Sequence, residues 1–162
     1  MSRLFIKSII EKIMGTKKTE NNQKEFEYTR LRNNKVKIIR DPIHDLIRID
    51  SQVILDILDT APFQRLKRIR QLGLASTVYP SAEHTRFAHS LGVYHLATKF
   101  LNQLNIPNEY DRFMIQLSAL LHDVGHGPFS HLFESVLKKA NPKNAKSHVY
   151  WSIKIITEHP EI

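Results

Sequence analysis

The 162-residue sequence contains no cysteine. This excludes disulfides, thiolate metal ligands and a thiol nucleophile, and it fits a reducing compartment. No apolar run approaches the roughly 18–20 residues needed to span a bilayer. Neither a continuous apolar stretch nor a small-residue cleavage site marks a secretory leader, so the expected residence is the cytoplasm. No internal repeat is visible. Aspartate is also missing from the whole stretch after Asp123, where Glu134, Glu158 and Glu161 are the remaining acids.

The apolar share of 41% is ordinary for a globular chain, and the length suits one domain with a real core. The net charge of +8 looks like a nucleic-acid signal until it is located. Residues 1–40 hold eleven lysines and arginines against four glutamates, whereas residues 41–162 hold thirteen basic and twelve acidic residues. The excess therefore belongs to an amino-terminal arm. Such an arm offers a contact for phosphates, including nucleic acid, or for an acidic membrane surface, and says little about the body. Within it Leu4, Phe5, Ile6, Ile9, Ile10 and Ile13 recur at helical spacing. This reads as a membrane-surface helix or as a helix docking on another subunit.

Residues 15–34 are polar and read as a linker, so the expected division is an arm and linker over 1–35 and a domain over 36–162. The run KVKIIRDPIHDLIRID places β-branched residues on both sides of Asp41-Pro42, which predicts two short strands around a turn. The remainder is helical in pattern. Ser51 is placed to cap a helix through Leu58, and Pro62 to open another with Phe63, Leu66, Ile69 and Leu72 as a stripe ended by Gly73. Longer helices are predicted over about 85–104 and 108–124. Ser130 and Ser147 are placed to cap two more, ending near Ala140 and Glu158. The fold class is mainly α with a short β hairpin near the start.

Nine histidines are present, six of them between positions 84 and 131. His122-Asp123 closes an apolar helix just before a glycine break, and a carboxylate so near a buried face needs a compensating cation. Imidazole and carboxylate together favour a divalent ion, without choosing among Mn, Fe, Zn, Ni and Mg. A third ligand must come from a second helix, and His89 is the natural candidate.

At these residues the chain resembles the HD superfamily of metal phosphohydrolases, whose pattern is a His, a His-Asp pair and a distal Asp. The segments DPIH, DTAPFQRLKRIRQLG, YPSAEHTRFAHSLGV and LLHDVGHGPFSHLFE are similar to those of the sterile-alpha-motif/HD deoxynucleotide triphosphohydrolases and their microbial relatives. The similarity covers roughly residues 36–158 and implies an HD helical bundle. It implies His89, His122 and Asp123 as metal ligands, Arg86 as a phosphate contact and Gln71 as a contact to the deoxyribose 3′-hydroxyl. His126, His131, Glu134 and His148 match its catalytic group, with Glu134 standing where relatives carry aspartate. Asp59 and Gln64 match a regulatory nucleotide site, but Lys67 replaces its arginine and lacks the planar fork. Arg65, Lys67, Arg68 and Arg70 otherwise read as a solvated helix face.

The family's fourth ligand, a distal aspartate, has no counterpart here, which reads as a shortened carboxyl end. The implied activity is dGTPase-like hydrolysis of deoxynucleoside triphosphates to deoxynucleoside and triphosphate, in a homo-oligomer when full length. The alternatives are an HD hydrolase of another phosphoester, or an inactive HD protein that binds nucleotide, nucleic acid or a partner. The lost carboxylate leads us to expect weak metal binding and turnover near background for the 162-residue chain.

Overall fold

A computed structural model describes residues 32–129 and 131–162. The stripe expected over residues 4–13, the linker up to residue 31 and the capping role of Ser130 lie outside the described residues.

The chain opens with an antiparallel hairpin of β1 (Arg32–Asp41) and β2 (Asp45–Ser51). β1 thus begins inside the stretch read as linker. Asp41 makes the turn: its Oδ1 accepts the backbone N–H groups of Ile43 and His44, both at 2.9 Å. Asp45 follows with φ 61°. Register pairs Ile39 with Ile47 and Lys37 with Ile49. The alternation of a strand then sends Ile47 and Ile49 into the core while Ile38 and Arg48 face outward.

Ser51 ends β2 and caps α1 (Gln52–Asp59), its Oγ accepting from the Ile54 N–H. α2 (Ala61–Gln64) starts with Pro62 in its first turn, and a 3₁₀ turn over Arg65–Arg68 continues it. The helix expected to reach Leu72 therefore stops four residues early. Ile69 is extended, Arg70 bridges Thr85, and Leu72 is 53% exposed. Phe63, Leu66 and Ile69 still bury, because a tight turn followed by an extended residue aims them at the same core as a longer helix would.

α3 (Arg86–Gln103) is capped by Thr85, and α4 (Glu109–Leu121) by Asn108, whose Oδ1 accepts from Tyr110 and Asp111. The two helices pack against each other, so the start of α3 meets the end of α4. Phe113, Met114, Leu117, Leu120 and Leu121 of α4 join Leu91 and Tyr94 of α3, β2 and α1 in one core. α4 ends three residues before the predicted Val124. α5 (His131–Ala140) and α6 (His148–Glu158) complete the described chain. Among the described residues, six α-helices and one hairpin give the expected mainly α architecture. No helix among the described residues is long and apolar enough to cross a membrane.

Candidate metal centre

Burial of Leu120 and Leu121 draws the end of α4 inward and carries His122 and Asp123 to the first turn of α3. There Arg86 and His89, three residues apart, share a helix face. His122 Nδ1 lies 2.8 Å from the Ala119 carbonyl. A carbonyl only accepts, so Nδ1 holds the proton and Nε2 keeps the lone pair of the neutral ring. That Nε2 is 3.3 Å from His89 Nε2 and 3.3 Å from Asp123 Oδ1, and His89 Nε2 is 3.7 Å from Asp123 Oδ2. One ligand atom from each of the three residues falls within 4.8 Å of the others, close enough to hold one ion at roughly 2.0–2.3 Å. Two imidazole nitrogens and a carboxylate oxygen are a donor set suited to a divalent transition ion.

The charges are arranged to keep these donors competent. Asp123 is buried and ion-paired with Arg86, itself only 2% exposed. Arginine in a helix's first turn opposes the helix dipole, so the Asp123 carboxylate stabilises both the guanidinium and the start of α3. Burial lowers the His89 pKa from its ordinary value; Asp123 opposes this, while His122, Arg86 and His84 add to it, which favours the uncharged ring a metal ligand needs. Isolated buried ion pairs add little net stability, so this one makes better sense as part of a site than as a brace.

A second cluster adjoins the first through His126, whose Nε2 is 3.5 Å from Asp123 Oδ1. His126 stacks on His148 with centroids 4.0 Å apart, and both rings meet His131 edge-on. Burial, then the positive Arg86, pushes the His126 pKa down to about 3. Glu134 Oε1 accepts both the backbone N–H of His148 at 2.6 Å and its Nδ1 at 2.7 Å. Glu134 is therefore the cap of α6. Ser147 holds the cap position, as expected, but its side chain makes no capping bond. Burial pushes the Glu134 carboxyl up, but the two His148 donors outweigh it and hold the pKa below the usual value.

The other expected residues are spread more widely. No hydrogen bond or ion pair joins Gln71 to either cluster among the described residues; its N–H bonds the His84 carbonyl, and its Oε1 is buried without a partner. Gln64 donates its amide to the Leu58 carbonyl, and Lys67 lies over the Phe87 ring at 4.7 Å. Glu161 accepts the Ala61 N–H, 100 residues away in sequence.

Two residues that matter locally escaped the sequence reading. Arg65, grouped with a solvated face, is half-buried and bonds the Val124 and His126 carbonyls; Lys67, Arg68 and Arg70 are the exposed ones. Ser152 accepts the Gly125 N–H at 2.9 Å and donates to the His122 carbonyl at 3.2 Å. A signal for Ser152 existed, since it lies one turn from His148 and from the buried Ile156 on the inward stripe of α6.

Comparison with known proteins agrees with this geometry. The HD domain family matches residues 86–162. Over 126 residues the chain is 39% identical to the deoxynucleoside triphosphate triphosphohydrolase SAMHD1 homolog of Dictyostelium discoideum, covering 74% of this chain and 24% of that protein. It is 40% identical to the SAMHD1 protein of Homo sapiens over 131 residues, covering 76% and 21%. It thus spans about a quarter or less of these curated relatives. A crystal structure of a hypothetical protein from Aquifex aeolicus, 40% identical, superposes with a TM-score of 0.65 over 76% of this chain and 31% of that one. Its helices, its histidine cluster and its sequence all agree in identifying residues 86–162 as an HD domain.

Proposed function

We propose that this HD domain is a metal-dependent phosphohydrolase acting on deoxynucleoside triphosphates, releasing the deoxynucleoside and inorganic triphosphate. The observation that carries the reading is the convergence of His89, His122 and Asp123 within 4.8 Å, with Arg86 buried beside them. These three residues would hold the ion. When bound, a divalent ion supplies Lewis-acid charge and lowers the pKa of a water.

The chain's own groups account for the rest. Attack of water at the α-phosphorus breaks the bond to the 5′-oxygen, which leaves protonated as a hydroxyl while triphosphate departs. Arg86, the expected phosphate contact, is buried against Asp123 and so acts from behind the cluster, where its positive charge favours phosphate brought to the ligands. His148 serves best as the proton carrier. Its Nδ1 is committed to Glu134, a carboxylate that only accepts, so its Nε2 is left to take or give a proton. His126 is too deeply buried for this role and supports the His148 ring by stacking. The buried, unpartnered Oε1 of Gln71 suits a hydroxyl donor, the expected deoxyribose contact.

Because turnover near background is expected of the 162-residue chain, the test uses a form extended to supply a distal aspartate: hydrolysis of dGTP and other deoxynucleoside triphosphates with added Mn(II), with separation of deoxynucleoside and triphosphate. Release of both products, abolished in Asp123→Asn, supports the reading. Activity confined to monophosphates or surviving in Asp123→Asn favours an HD hydrolase of another phosphoester. The inactive, binding-only reading draws on one observation: Glu134, the nearest acid after Asp123, is already committed to His148. Absence of turnover despite nucleotide binding would favour it.

A further inference from the structure

The segment from His122 to Gly127 leaves α4 as a tight turn, with Val124 N–H bonded to Leu121 O and His126 N–H to Asp123 O. This turn brings the Val124 and His126 carbonyls to the Arg65 side chain. Both residues are buried, and among the described residues no backbone N–H reaches either carbonyl. Buried carbonyls at a helix end need a donor. Arg65 supplies it to both: Nη2 to Val124 O at 2.5 Å and Nη1 to His126 O at 2.7 Å. No carboxylate lies within ion-pair distance of this guanidinium among the described residues, so its charge falls on these two carbonyls, which lie just beyond the end of α4.

The opposite side of the same turn is also held. Ser152 takes the Gly125 N–H, and the α6 backbone approaches so closely that a Cβ on Gly125 would lie 2.1 Å from Ser152 N and 2.5 Å from His148 O. The turn is thus gripped between α6 and one side chain. The base of that side chain is itself fixed, because Phe63 and Leu66 on either side are fully buried.

We infer that Arg65 is a positioning residue, whose fork holds the Val124 and His126 carbonyls and so sets the turn that places Asp123 in the cation site and His126 against His148 beside it. The inference rests on the proposed metal reading for its consequence, but not for its geometry. Only a planar fork reaches both carbonyls at once; a lysine ammonium is a point donor that satisfies one. A displacement of about 1 Å at a site of this kind is enough to cost on the order of a hundredfold in rate.

The experiment uses the full 162-residue chain with Arg65→Ala and Arg65→Lys. Three readouts are taken: Mn(II) affinity by calorimetry, His126 and His148 ring resonances by NMR, and the thermal midpoint. We expect Arg65→Ala to weaken Mn(II) binding by about 10–100-fold, the scale for losing a group that orients metal ligands. The His126 resonance should move as its ring leaves the His148 stack. Sub-denaturing guanidinium, but not the same concentration of ammonium, should restore both by filling the vacated fork site. Arg65→Lys should fold and remain impaired, and it decides the matter if Arg65→Ala does not fold.

Wild-type Mn(II) affinity and an unmoved His126 resonance in Arg65→Lys would overturn the inference. So would a fall in thermal midpoint with both of the other readouts at wild-type values. If the wild-type chain binds Mn(II) but a form extended to supply a distal aspartate hydrolyses no deoxynucleoside triphosphate, the proposed substrate fails and the inference stands. If it binds no Mn(II), the metal reading fails and the His126 resonance alone decides the inference.

Discussion

Asp123 has two carboxylate oxygens and four neighbours that face them: Arg86 and His89 on one, His122 and His126 on the other. Removing its charge while keeping its shape leaves Arg86 buried and unpaired by this group. Asp123→Asn should therefore cost stability as well as function. We expect metal affinity to fall by at least about a hundredfold, measured by calorimetry, since even groups beyond the ligand shell cost 10–100-fold. Gly125 is constrained by space, not charge. Gly125→Ala places a methyl against the α6 backbone, which cannot swing aside as a side chain would. Its cost should exceed the roughly 1–3 kcal/mol of ordinary overpacking, read from urea unfolding. Gly125 was legible from sequence as a helix breaker, but not as the contact point of α6, because that depends on a helix 23 residues downstream.

At the scale of elements, caps and turns decide where pieces begin. Asn108 opens α4 through two backbone donors, so Asn108→Ala should destabilise by about 1 kcal/mol, while Asn108→Asp should be tolerated. The hairpin turn carries a pH signature. Burial raises the Asp41 pKa, but the His44 and Ile43 N–H groups, with nearby His44 and His95, outweigh it and bring it below 3.8. A depressed folded pKa contributes stability that is present above the unfolded value and lost as pH falls through the folded one. Asp41→Asn keeps an acceptor and removes the charge. Wild type should therefore be the more stable near neutrality, and the gap in urea midpoint should close on acidification below about 4. This residue is exposed, so the gap should be small.

For the whole molecule, any ion that binds the folded chain alone must stabilise it. Mn(II) at 100 times its dissociation constant should add about 2.7 kcal/mol, and the thermal midpoint should rise with concentration. A chelator should reverse the rise, and Asp123→Asn should abolish it. An equal rise in that variant would place the ion elsewhere, with His131, Glu134 and His148 the next group to examine.

The sequence by itself determined the hairpin around Asp41-Pro42, the cap at Ser51, the helix starts near residues 85 and 108, the mainly α class and the residues brought together at His89, His122 and Asp123. Those features are written locally, in β-branched alternation, in oxygen-bearing residues ahead of apolar stripes, and in an ordered set of motifs. Tertiary structure decided where the helix after Pro62 stops, because a 3₁₀ turn and an extended Ile69 bury the same residues that a longer helix would. It decided that Glu134, not Ser147, caps α6, because that hydrogen bond spans 14 residues. It also decided that Arg65 faces inward while its basic neighbours face water. All of them carry the same charge in one short run of sequence; only Arg65 meets two buried carbonyls that have no other donor among the described residues.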